Sequence, residues 1–390
     1  VILLGNLRLQ GEEYKALAEQ LLEEARKEFE KIRGVSVRQV TLEVVNTSWV
    51  IENWGRGYAD PEIASILRTE KIYKSLFMIS QDDSLYDASL DWAASFRAAK
   101  WQDKIYVVEE NFDPTKATAA KSTFVHELTH IFQDSYSMPQ RSSTFDGDKA
   151  IGSLTEGDAT LMADTFRGEG VDAPISSIVP NENALHIPAV IMFSGEIQPD
   201  LPSTINMLNR FPYDYGVEFV KALYANENGG WKAVDKVYTN PPNTTEQVMH
   251  PEKYFALEDA QAVEAPSITG EWNLTKTERF GEYFILVMLD NWTSSKDAEE
   301  AAKGWSGDNL TYYERDGDEY LFTWKIAWDS NDDAREFYST FQAMMDTTSA
   351  EKDNGYWSAY GRYISIQWNE NSTLIVSSDN ATFVQQPFIY

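Results

Sequence analysis

The chain has 390 residues, with 62 acidic against 33 basic side chains and a net charge of −29. This acid excess opposes binding to duplex nucleic acid, and its spread along the chain reads as a solvated surface rather than a tail. Apolar content of 43% with 13% aromatics is ample for compact folding, the length suggests two domains, and no apolar run approaches a membrane span. With no cysteine, disulfides and thiolate metal ligands are excluded.

Residues 11–33 predict an amphipathic helix. Tyr14, Leu17, Leu21, Ala25, Phe29 and Ile32 form its apolar face, and Gly34 stops it. Residues 35–51 are rich in valine (Val35, Val37, Val40, Val44, Val45, Val50) and predict strand. Helices are expected near 60–75 and 86–99, followed by a strand over Lys104–Glu110. That strand leads toward a helix expected to open at Asp113-Pro114 and to run through Gln133. An exposed strand edge beside such a helix can hold an extended peptide by backbone pairing.

Within this helix, His126-Glu127-Leu128-Thr129-His130 spells HExxH. Residues four apart on a helix lie one above the other, so both imidazoles can share one metal ion, with Glu127 beside them to activate a water. Catalytic zinc usually has three protein ligands, and without cysteine the third must be a carboxylate or a histidine. The best candidate is Glu156, in Thr155-Glu156-Gly157-Asp158-Ala159. There Thr155 can cap a helix opening at Glu156, and Gly157 and Ala159 leave room for close approach to the HExxH helix.

HExxH followed by Glu-Gly-x-Ala resembles the gluzincin metallopeptidases, the group of thermolysin and the leukotriene-hydrolase type of aminopeptidase. The resemblance implies zinc held by His126, His130 and Glu156, with Glu127 as general base. Pro212-Tyr213-Asp214-Tyr215-Gly216 resembles the Pro-Tyr-x-x-Gly stretch of those aminopeptidases, whose tyrosine steadies the oxyanion; that role falls on Tyr213. His250, in Met249-His-Pro-Glu-Lys-Tyr254, is the other candidate for the same work, because thermolysin-like enzymes use a histidine from outside the zinc motif. His186 reads as structural.

The family's Gly-x-Met-Glu-Asn segment does not occur, and Glu109-Glu110-Asn111 is the nearest acidic substitute. Thr160 stands where the family has an aspartate, four residues after the third ligand. Asp134, Asp158 and Asp164 are then the candidates to support the ligands.

Further on, helices are expected near 201–209, 214–226 and 229–238. Residues 258–270 read as a linker between a gluzincin-like domain over 1–257 and a smaller module over 271–390. The module predicts helices at 278–290, 296–303 and 331–346, and strands at 309–315, 319–328, 360–368 and 372–378. Its tryptophans (Trp292, Trp305, Trp324, Trp328, Trp357, Trp368) are expected in a core. The fold class is therefore α+β: a small mixed sheet with a mainly helical half, then an α+β module with an antiparallel sheet.

Asn46, Asn243, Asn273, Asn291, Asn309, Asn371 and Asn380 each open an Asn-x-Ser/Thr triplet, which points to N-linked glycans and a location outside the cell. The Val-Ile-Leu-Leu start, without methionine, suggests a processed precursor. The expected compartment is a prokaryotic, archaeal-type cell surface. Structural calcium fits such an exterior but has no motif here. The sequence thus reads as a surface or secreted zinc metallopeptidase acting on peptides. The alternative is a non-enzymatic surface-layer or filament protein built on the same fold.

Overall fold

A computed structural model of the protein describes residues 11–55, 60–139, 143–170, 201–226, 229–315 and 319–385. His186 and the Val1–Leu4 start lie outside the described residues. The described fold is mixed α+β, with a three-stranded sheet and a separate seven-stranded antiparallel sheet.

Helix α1 (Gly11–Arg33) buries Tyr14, Leu21, Ala25 and Phe29 at helical spacing, and Gly34, at φ +75°, ends it. Strand β1 (Thr41–Val45) is shorter than the expected 35–51. Asn46 caps helix α2 (Thr47–Val50), accepting from the Trp49 amide at 2.8 Å, and a π-helical turn follows at Ile51–Gly55. After α3 (Asp60–Ser75) and α4 (Leu85–Ala94) come β2 (Ala98–Trp101) and β3 (Lys104–Val108). The expected helix over 86–99 thus ends at Ala94, and its tail is a strand folded back on β3.

The strand order is β1-β3-β2, with β1 parallel and β2 antiparallel to β3. This corrects the expectation of an exposed edge at residues 104–110. The Ile105–Val108 run is buried on both faces, as befits a central strand, and β1 and β2 form the two edges of this sheet among the described residues. One sheet face, through Leu42, Ala98, Ile105 and Val107, shares a core with α1 and α5 (Ala117–Gln133). On the other face Tyr106 stacks on Trp49 at 5.1 Å, and Trp54 and Trp101 close around them.

Helix α5 begins after the expected Asp113-Pro114 cap, because the Asp113 carboxylate closes a turn onto the Thr115 amide and hydroxyl. It is followed by α6 (Phe145–Arg167), which Thr144 caps at the Gly147 amide and Gly168 closes in the left-handed region. Helix α7 (Ser203–Ala225) replaces the two helices expected on either side of Pro212. That proline is buried in mid-helix, facing Gly152 of α6. Helices α8 (Trp231–Val237), α9 (Thr245–Met249) and α10 (Pro251–Phe255) complete this half.

Residues 258–270 hold no helix or strand, yet they are fastened: the Gln261 amide donates to the Ser306 carbonyl at 2.7 Å and Asn309 Nδ2 to the Val263 carbonyl at 2.8 Å. Then follow β4 (Asn273–Glu278), α11 (Gly281–Asp290), α12 (Ser295–Ala302), β5 (Trp305–Glu314), β6 (Tyr320–Trp328) and α13 (Asn331–Thr347). The chain ends with β7 (Glu351–Asp353), β8 (Tyr356–Ala359), β9 (Arg362–Asn369), β10 (Ser372–Ser378) and α14 (Ala381–Val384). The strands run β4-β5-β6-β10-β9-β8-β7.

Trp305, Trp324, Trp328 and Trp357 lie fully in the core, while Trp368 is 38% exposed. Helix α11 is buried from Gly281 to Leu289, and one continuous apolar core joins it to Leu154 of α6, to Phe211 and Phe219 of α7, and to the sheet. The hydrophobic core therefore does not stop at the linker. No described helix is long and apolar enough to cross a membrane.

Candidate metal centre

Helix α5 is buried on nearly all sides, and its apolar residues Phe124, Val125, Leu128 and Ile131 anchor it between α1, α6 and the small sheet. That anchoring fixes the direction of His126 and His130. Their Nε2 atoms lie 3.1 Å apart. Glu156 Oε2, from α6, stands 3.2 Å from His126 Nε2 and 3.3 Å from His130 Nε2. Three donor atoms thus converge from two helices.

The donor set fits a zinc ion. Bonds of about 2.0–2.1 Å in a tetrahedron place neighbouring ligand atoms roughly 3.3 Å apart, close to the three separations here. Two imidazole nitrogens and one carboxylate oxygen also match the donor preference of zinc. The three side chains are also coupled by charge. Burial opposes a charge on His130, but Glu156 beside it raises the imidazole pKa to about 9. Burial likewise disfavours the Glu156 carboxylate, yet the two histidines hold it well below the usual range.

Glu127 is 2% exposed, and its Oε2 accepts from the Lys100 backbone amide at 2.7 Å. The pairing register explains this contact. The Arg97 carbonyl accepts from Val108, so the Lys100 amide points away from β3, across the outer edge of β2, toward α5. Glu127 Oε1 accepts no hydrogen bond among the described residues.

Glu156 sits in the middle of α6, not at a helix start as the sequence suggested. The true cap is Thr144, and Thr155 instead donates its hydroxyl to the Gly152 carbonyl. Gly157 also turns out to face α7 rather than the HExxH helix. A Cβ there would strike the Gly216 carbonyl, and a Cβ at Gly216 would strike the Ser153 carbonyl. Their close crossing brings Tyr213 alongside the ligands. The Tyr213 ring stacks against His126 with centroids 6.5 Å apart, and burial, then Glu156 and Glu127, push its phenol pKa well above normal.

Of the three aspartates weighed as supports, Asp158 is the one tied to the ligands, through Gln133. Gln133 Oε1 lies 2.8 Å from His130 Nδ1. Asp134 pairs instead with Lys100 and Arg38 at the surface, and Asp164 with Arg167. Gln133 had no motif around it; the missing aspartate at Thr160 was the one sign that another residue fills that role.

His250 is not brought to the triad. Its Nε2 pairs with Glu282 on α11 at 3.0 Å, and this hydrogen bond raises its pKa. Glu110 is likewise engaged elsewhere, accepting from the Thr47 amide and hydroxyl, and Asn111 Nδ2 donates to the Ala94 and Phe96 carbonyls. A second acidic group, Glu246, Glu258 and Asp329, has metal-like spacing. The Lys253 ammonium already occupies its middle, 2.6, 2.8 and 3.6 Å from the three carboxylates, so the group reads as an ion-pair clasp.

A family model described as a domain of unknown function (DUF8575) matches residues 272–386. This stretch comprises the large sheet and its helices and contains none of the triad. No match is found among curated proteins or solved structures.

Proposed function

We propose that the protein is a zinc-dependent metallopeptidase of the gluzincin type. The observation that carries the reading is the convergence of His126, His130 and Glu156 within 3.3 Å of one another, with Glu127 beside them and its Oε1 unpaired among the described residues. A scaffold protein has no need for such a carboxylate next to a ligand cluster. Zinc bound there supplies Lewis-acid polarisation of a substrate carbonyl and acidifies water.

The remaining chemistry belongs to the chain. Glu127 takes a proton from the attacking water as the new C–O bond forms, and returns it to the amine nitrogen as the C–N bond breaks. The Lys100 contact holds Glu127 on the rotamer that faces the edge of β2. That edge offers backbone pairing to an extended peptide, so the scissile bond would lie between strand and triad. Tyr213, rather than His250, would donate its phenol hydrogen to the developing oxyanion, a role supported by its ring lying against His126.

Action on extracellular peptides fits the sequons. Asn46 and Asn273 are exposed, whereas the Asn309 amide is committed to the Val263 carbonyl and is a poor acceptor for a glycan.

Elemental analysis of protein purified without added metal tests the proposal, together with a peptide-library screen of the wild type and Glu127→Gln. The expected result is about one zinc per chain in both and cleavage by the wild type alone. Protein that takes up no zinc, or full cleavage by Glu127→Gln, would overturn it. Zinc with no cleavage of any peptide would favour a zinc-stabilised surface scaffold.

A further inference from the structure

We infer that Gln133 is the positioning residue for His130, and that a buried charge cluster reaching from α1 fixes the direction of its amide. The inference rests on the zinc reading of the triad. Gln133 is 7% exposed, and its Nε2 donates to the Thr155 carbonyl at 2.9 Å and the Tyr238 hydroxyl at 2.9 Å, with Asp158 Oδ2 a longer third acceptor at 3.5 Å. The Tyr238 hydroxyl can only accept from Gln133, because its own hydrogen goes to Asp158 Oδ2 at 2.8 Å. Asp158 in turn is gripped by both terminal nitrogens of Arg33.

These constraints choose between the two faces of the amide. Flipped, Oε1 would meet the Thr155 carbonyl, an acceptor against an acceptor, and the Tyr238 hydroxyl would lose its donor. The unflipped amide therefore presents Oε1 to His130, so Nδ1 must carry a hydrogen. The lone pair of Nε2 is then directed to the point shared with His126 and Glu156.

Arg33 is what keeps this arrangement rigid. Its guanidinium also donates to Asp235 at 2.6 Å and lies 4.4 Å over the Trp231 ring and 5.3 Å over Phe132. Tyr136 donates to the same Asp235 oxygen at 2.6 Å and stacks on Tyr238 with centroids 4.2 Å apart. Residues of α1, α5, α6 and α8 thus lock one amide. A carboxylate placed directly on a ligating imidazole makes it more basic. Here a neutral amide intervenes, so His130 is oriented while the charge of Asp158 stays one link away.

The test is zinc affinity by chelator competition, with the absorption spectrum of the cobalt-substituted protein, for wild type, His126→Ala, Gln133→Met and Tyr238→Phe. Gln133→Met should bind zinc about ten- to a hundred-fold more weakly and show an altered cobalt spectrum at saturating metal. Tyr238→Phe, which only loosens the amide, should weaken binding less, and it carries the test if Gln133→Met fails to fold. A role confined to packing would lower stability and leave the cobalt spectrum unmoved. Tight zinc binding by wild type and equally tight binding by both variants, with unchanged spectra, overturns the role of Gln133 while the zinc site stands. No zinc uptake by the wild type overturns both.

Discussion

Gly157 and Gly216 meet at the crossing of α6 and α7, each lacking the side chain that would strike the other helix's backbone. Gly157 directly follows the candidate ligand Glu156, and Gly216 lies three residues after Tyr213. The contact therefore fixes the distance between the Glu156 carboxylate and the Tyr213 phenol. Alanine at either position must push backbone away from backbone, which no rotamer change can relieve. Each of Gly157→Ala and Gly216→Ala should lower stability by about 1–3 kcal/mol, read as a lower urea midpoint. Activity should fall in both before the protein unfolds, because Tyr213 and Glu156 separate.

Tyr213 and His250 make opposite predictions. Tyr213→Phe removes a donor used only as charge develops, so kcat should fall about 10²–10³-fold with KM nearly unchanged and zinc retained. His250→Ala should leave kcat near wild type. Its cost is structural: Glu282, only 3% exposed, loses its partner, for about 1–3 kcal/mol of stability. Steady-state kinetics on a cleaved peptide and urea unfolding of both variants separate the two roles. The reverse pattern would return the oxyanion role to His250.

The two candidate histidines were legible in the sequence because helix geometry alone brings the imidazoles of HExxH to one face, where their rings meet edge-on with centroids 4.8 Å apart. Helix α1 was legible from its clean helical period of burial, and the longer strands after residue 300 from runs of β-branched and aromatic residues, since β5, β6 and β10 are buried nearly throughout. The start of α6 was not. Glycine is a poor helix former, so Gly147 and Gly152 give no helical signal ahead of Glu156, yet Gly152 faces Pro212 and Gly157 faces Gly216, both as openings for α7. Pro212 misled in the same way, since its burial against α6 outweighs the lost intrahelical hydrogen bond. Strand β2 is only Ala98–Trp101, too short to show a period, and it is made by pairing with β3. Gln133 was invisible because its role depends on Arg33 and Tyr238, 100 and 105 residues away in sequence.

The linker at 258–270 suggests that the chain could be cut there, but the packing predicts otherwise. Glu278 Oε1 accepts from the Phe145 amide at 2.6 Å, and the Asp146 amide donates to the Arg279 carbonyl at 3.0 Å, so the first turn of α6 is held from beyond the linker. Phe280 and Phe284 pack on Phe145, and Tyr283 on Phe211 at 4.3 Å. A fragment ending at residue 270 exposes this whole face. It should show no cooperative unfolding transition and no zinc uptake, by calorimetry and elemental analysis. A folded, zinc-loaded fragment would show that the large sheet is only an attachment.

Asp146 is the charged pin of that same junction, and its titration should be visible in stability. It accepts from the Thr245 amide and hydroxyl and from Arg279 Nε at 2.9 Å. Burial still dominates: despite Arg279 and Thr245, the pKa is raised from 3.8 to about 6. The native state therefore binds the proton more tightly than the unfolded chain between these values. Stability from this group is greatest below pH 3.8 and is lost as pH rises toward 6. Asp146→Asn cannot titrate, so subtracting its unfolding free energy from that of the wild type isolates the group from the rest of the acidic surface. That difference should shift against the wild type by about 2 kcal/mol between pH 4 and pH 7. Urea titrations of both proteins at the two pH values measure it. An unchanged difference would mean that Arg279 and Thr245 fully offset the burial of the carboxylate.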